Sequence, residues 1–89
     1  MQHTDALSLS RVLVYGGPDS RQAVAERMLE TEDAEGWKML AATVLSHEPW
    51  LLRVRCLEVL GLAAGSAERA TAEIILDLLC GSGDTPTDN

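Results

Sequence analysis

The sequence predicts an all-α fold of about five helices, and three observations carry that prediction. Apolar residues recur at helical spacing in successive stretches of the chain. Clusters of Gly, Pro and Ser punctuate those stretches, at Gly16-Gly17-Pro18, around Ser46 to Pro49, and at Gly65-Ser66. No segment alternates apolar and polar residues as a half-buried strand does.

After a frayed start over residues 1–4, a first helix is expected over about residues 5–15. Ala6, Leu9, Val12 and Leu13 share one face of it, and Ser8, Arg11 and Tyr15 the other. Gly16-Gly17-Pro18 ends it, because glycine turns cheaply and proline cannot continue a helix. A second helix, about residues 20–31, starts at Asp19 and Gln22, which resemble a capping box. Val24, Ala25, Met28 and Leu29 face inward on it, with Gln22, Glu26 and Glu30 as the wet edge. The acidic turn that follows offers Thr31 or Asp33 as the next cap. The third helix carries Trp37, Leu40, Ala41, Val44 and Leu45, spaced i, i+3, i+4, i+7, i+8 as one apolar face.

Residues 49–80 read as a helical hairpin on which the rest is organised. Its first helix, about residues 50–64, is apolar on most sides, as expected of a helix in the middle of a bundle or against a partner. Arg53, Arg55 and Glu58 are its only charges, and Arg55 and Glu58 can pair at i, i+3. Pro49 suits the first helical position. Gly61 costs about 1 kcal/mol against Ala in a helix interior, so it marks a close approach or a kink. After a break at Gly65-Ser66, with Ser66 as N-cap, the last helix covers about residues 67–80 and ends at Gly81. Ala67, Ala70, Ile74 and Leu78 form its inner stripe beside Thr71, Ile75 and Leu79, while Glu68, Glu73 and Asp77 lie towards water.

Eighty-nine residues make one domain with an adequate core, here expected over residues 1–81, before a disordered polar tail at 82–89. With no Phe and 3% aromatic residues, that core is aliphatic. The net charge of −7 opposes binding to a phosphate backbone, so no nucleic-acid partner is expected. It suits solubility, a basic partner surface, or mimicry of nucleic acid. No apolar run reaches the roughly 20 residues that span a bilayer, and no basic cluster precedes residues 7–15, so neither a membrane nor a secretory role is expected. Cys56 and Cys80 sit inside helical patterns and read as free thiols in a reducing cytosol, which points to a cytoplasmic protein.

Chemistry-bearing constellations are missing from the sequence. His3 and His47 are too few for a zinc site, Cys56 lies on the most apolar helix with no activating base, and Gly16-Gly17-Pro18 lacks the Lys-Ser/Thr of a phosphate loop. Glu30, Glu32, Asp33 and Glu35 form a solvated acidic turn or a contact for a basic partner, without calcium-loop spacing. The expectation is therefore no enzyme, no cofactor and no metal. Trp37 and Trp50 each begin a helix; they either plug gaps between hairpins or line a groove.

An internal echo runs through the chain: Val12, Leu13, Ala23, Ala25, Glu26 and Leu29 recur 47 residues on as Val59, Leu60, Ala70, Ala72, Glu73 and Leu76. Each copy is a helix ending in small residues followed by an Ala-x-Ala-Glu helix, a pattern that stacked hairpins and mere helical convergence both produce. A helix ending in Gly before a helix with paired alanines resembles the tetratricopeptide hairpin, over residues 9–29 and 57–79; HEAT-type repeats are the competing description. Glu48-Pro49-Trp50-Leu51, Cys56, Leu60-Gly61-Leu62 and Gly65-Ser66-Ala67 further resemble the tetratricopeptide-like subunit of type III secretion needle chaperones, given a gap between Trp50 and Cys56 and a chain shorter than a full three-repeat member. That resemblance implies stacked antiparallel hairpins, a small helical co-partner, and an apolar groove holding the needle subunit's amphipathic C-terminal helix. The reading is an adaptor or chaperone binding a partner's amphipathic helix through Trp37, Leu40, Trp50, Leu51, Val54 and Leu57. A small acidic inhibitor of a nucleic-acid enzyme, of phage type, and a homo-oligomeric structural module are the alternatives.

Overall fold

The computed structural model describes residues 6–80, with side chains from Ser8 onward. Five α-helices follow in order: α1 (Ala6–Tyr15), α2 (Pro18–Thr31), α3 (Ala34–Val44), α4 (Trp50–Ser66) and α5 (Arg69–Cys80). No strand occurs among the described residues, so the fold is all-α. The expected frayed start, His3, the inward face of Ala6, the Gly81 cap and the tail at 82–89 lie outside the described residues or side chains.

α4 is the hub. It packs against each of the other four helices, while α3 also meets α5 and α2 meets both α1 and α3. Its inner side buries Cys56, Val59, Leu60 and Ala63. Full burial of a Val or Leu is worth about 1.5–3 kcal/mol, which outweighs the roughly 1 kcal/mol penalty at Gly61 and keeps the helix continuous. The core around it consists of Leu9, Leu13, Ala25, Met28, Trp37, Leu40, Ala41 and Ile75. Arg53 ties the start of α4 to the end of α3 by donating from Nε to the Val44 carbonyl at 3.1 Å.

Several boundaries differ from expectation, each for a local reason. Pro18 starts α2 instead of merely ending α1: its preset φ suits the first turn, and Gly17 stands at the N-cap. Asp19 and Gln22 form no capping box; Gln22 Nε2 donates to Glu26 Oε2 one turn on, at 2.9 Å. Gly16 closes the α1–α2 corner so tightly that a Cβ there would stand 2.5 Å from the Val12 carbonyl oxygen. Pro49 is the N-cap of α4, not its first helical residue. The Gly65-Ser66 pair does not break α4, which runs to Ser66 and turns at extended Ala67, so Ser66 cannot cap α5.

Face assignments shift by part of a turn at three places. Leu45 leaves α3 as its C-cap and is 58% exposed, and Val12 of α1 is 38% exposed. On α5 the buried line centres on Ile75, fully covered, whereas Ile74 is half exposed. Burial does not follow the internal echo throughout: Leu13 and Leu60 are both buried, but Val12 is 38% exposed where Val59 is fully covered.

Candidate functional site

Three features stand out from this framework, and the first is concave. An open groove of about 740 Å³ runs along α2 and the α2–α3 corner. Leu9 of α1 and Val24 and Met28 of α2 make its apolar floor. Arg27, Thr31, Glu32, Asp33 and Glu35 supply its polar lining, three carboxylates and one guanidinium among them.

The corner that presents those carboxylates is built by two caps. α2 ends with Glu32 in the left-handed region (φ 51°, ψ 51°), its N–H reaching the Leu29 carbonyl and the Asp33 N–H reaching the Met28 carbonyl. This six-to-one closure usually places Gly at the left-handed position, because a side chain there costs roughly 1–2 kcal/mol. Asp33 then caps α3, its Oδ1 accepting from the Gly36 N–H at 2.9 Å. Of the two caps offered by the sequence, Asp33 is the one used; Thr31 instead donates to the Arg27 carbonyl at 3.0 Å. Glu35 lies 3.6 Å from Lys38 on the surface, a contact worth little. Glu30, grouped with these carboxylates in sequence, is exposed but outside the lining.

The second feature is convex. Trp50, Val54, Leu57, Gly61 and Gly65 follow one another on the outer side of α4, and apart from the terminal Ser66 they are its only exposed residues. Trp50 is 69% exposed, Val54 42% and Leu57 46%, with no charge among them. The structure therefore divides the six residues expected to line a groove. Trp50, Val54 and Leu57 share this ridge, and Leu51 is half-buried beside it. Trp37 and Leu40 are withdrawn into the core, at 4% and 1% exposed, as part of the buried face of α3. None of the six lines the concave groove.

The third feature was missed in sequence. Arg21 is 5% exposed, its Nη1 donating to the Gly16 carbonyl at 3.0 Å and its Nε standing 2.9 Å from Glu58 Oε1. Arg55 reaches the same oxygen at 3.2 Å, the i, i+3 pair that the sequence predicts. The Arg21 guanidinium beside it, with Arg55 in support, holds the Glu58 carboxyl below its ordinary range. Spacing carried a signal here: Arg21, Ala25 and Met28 fall on one stripe of α2, so the arginine occupies a core position.

Cys56 is the reverse case. Burial pushes its thiol up to about 11, against a smaller opposing effect of a hydrogen bond with Thr43. Such a thiol is a poor nucleophile at neutral pH. Among the described residues no cluster of His, Cys, Asp and Glu has the arrangement to hold a metal ion, and no helix is long and apolar enough to cross a membrane. Comparison with known proteins returned no matching family model, no matching curated protein and no matching solved structure.

Proposed function

We propose that this protein is a non-enzymatic adaptor or chaperone that holds an amphipathic helix of a partner protein in the α1–α2–α3 groove. The observation that carries the reading is the groove itself: an apolar floor of Leu9, Val24 and Met28 and a polar lining with three carboxylates. Amphipathic helices bind such grooves by inserting apolar side chains at i, i+3, i+4 and i+7, and an acidic lining selects for Lys and Arg on the flanks. Glu32 supports it further, since it stands in a left-handed position where Gly would be less strained. The resemblance to needle chaperones supplies one concrete partner class, the amphipathic C-terminal helix of a needle subunit. The acidic-inhibitor reading draws on the same carboxylates, and salt separates the two: a purely ionic complex fades steeply with ionic strength, an apolar-floored one only partly.

The test is titration with a synthetic Leu/Lys amphipathic peptide about four turns long, beside its Leu/Glu counterpart. The Leu/Lys peptide is expected to bind and the Leu/Glu peptide to fail. In Glu32→Gly the folding stability is expected to hold or rise, by up to about 1–2 kcal/mol of relieved strain, while Leu/Lys affinity drops. No binding of either peptide, or equal binding of both, defeats the proposal.

A further inference from the structure

The outer ridge of α4 has an order that the groove does not explain. Along it the residues run from large to absent side chain: Trp50, Val54, Leu57, then Gly61 and Gly65. A Cβ added at either glycine would meet nothing within 4 Å, so neither glycine is required by packing among the described residues. Each nevertheless costs helix stability relative to Ala. A glycine in a helix, exposed and uncontacted, leaves a hollow for something outside.

We infer that the occupant is a second copy of this chain, and that the protein forms a two-fold dimer through antiparallel pairing of α4 with α4. The register follows from the spacing. A two-fold axis passing between Leu57 and Glu58 sets Trp50 of one copy against Gly65 of the other, and Val54 against Gly61. The two copies of Leu57 then meet beside the axis. Every bulky residue on the ridge finds a hollow or its own mate, and the self-complementarity that an isologous interface demands is present in one helix. A parallel arrangement would instead stack Trp50 on Trp50 at one end and glycine on glycine at the other, with no large side chain set against a small one. Flanking charges do not oppose the contact, because Arg53, Arg55 and Glu58 are half-buried at the sides of the ridge and engaged with Val44, Arg21 and each other.

The area sets the strength. α4 has 17 residues and is about 25 Å long. One helix pair of that length buries on the order of 1,000 Å² in total, near the lower edge of specific interfaces, so the dimer is of micromolar rank. Two chains of net charge −7 repel, so added salt strengthens the dimer, whereas it weakens a complex with a basic helix in the groove. No α4 residue lines that groove, so the two proposals stand or fall separately.

The experiment is sedimentation equilibrium of the full chain under reducing conditions from low to high micromolar concentration, at low and moderate salt, with Gly61→Gln and Gly65→Gln beside it. The native chain is expected to dimerise, more so in salt. Each variant is expected to weaken dimerisation at least tenfold with its melting temperature in dilute solution unchanged or raised. Mild oxidation in a Cys80→Ser background checks the register: Leu57→Cys should cross-link to itself, and Trp50→Cys should not. A native chain that stays monomeric throughout overturns the inference. So does a dimer indifferent to both glycine variants, or one cross-linked through Trp50→Cys.

Discussion

Arg21 is a charged residue in a core position, held there by one hydrogen bond and one ion pair. Gly16 supplies a carbonyl at the α1–α2 corner and Glu58 a carboxylate on α4, so one side chain ties three helices together. Removing one partner of such a pair costs more than the pair contributes, since it strands the other charge. Glu58→Gln is expected to lose about 2 kcal/mol, below the 3–5 of a fully buried pair because Glu58 is one-third exposed. Its carboxyl is lowered from 4.5 in the folded state, so its contribution is complete above that value. The contribution disappears as pH falls through the lowered one. Urea melts between about pH 3 and 6 should show this loss in the native chain and a shallower slope in Glu58→Gln. Parallel slopes would remove Glu58 from the account. The residue type alone concealed this role; only its register on the Ala25–Met28 stripe disclosed it.

At the scale of elements, two glycines in helices test how far local propensity decides. Gly36 is buried in the first turn of α3, where a Cβ would stand 2.5 Å from Asp33 Oδ2 and 2.7 Å from Met28 Cε. Gly61 is in open space. Helix propensity favours Ala at both sites by about 1 kcal/mol. At Gly36 the clash displaces the Asp33 cap, itself worth about 1 kcal/mol, so Gly36→Ala is expected to destabilise. Gly61→Ala is expected to stabilise by up to about 1 kcal/mol in dilute, monomeric solution. Chemical denaturation of both variants decides the matter, and equal shifts would mean that the cap is not coupled to Gly36. The helices themselves were legible because their apolar periods are strong: Leu9 and Leu13, Trp37 with Leu40 and Ala41, and the run from Leu51 to Leu62. Their ends were less so. Pro18 and Gly65-Ser66 carry the same residues whether a helix starts, stops or continues, and neighbouring packing selects the outcome.

For the molecule as a whole, the hub position of α4 makes Cys56 a reporter of global opening. Its thiol is 2% exposed and raised to about 11 by burial, whereas Cys80 is exposed near the end of α5. A thiol reagent at neutral pH should therefore modify Cys80 within minutes and Cys56 only at the rate of cooperative unfolding. Mass spectrometry over a denaturant series reads both. Rapid double labelling in native buffer would show that α4 is uncovered by local motion, and the hub description would fail. The same position explains why α4 is apolar nearly all round: it packs against four helices, and its remaining exposed line is the ridge from Trp50 to Gly65.

Composition and periodicity were enough for the all-α class, the five helices, the acidic turn and the Arg55–Glu58 pair. These are local properties, set within a turn or two by hydrophobic spacing and side-chain reach. Whether Trp37 or Trp50 is buried was a different kind of question, since both begin apolar helices. Trp37 vanishes into the core, while Trp50 starts the side of α4 that is exposed among the described residues. The groove likewise has no signature in sequence: Leu9, Val24 and Met28 read as ordinary core positions, and the concavity exists only once α1, α2 and the α3 corner are brought together. Helices form from neighbours along the chain, but surfaces form from neighbours across it, and no period records those.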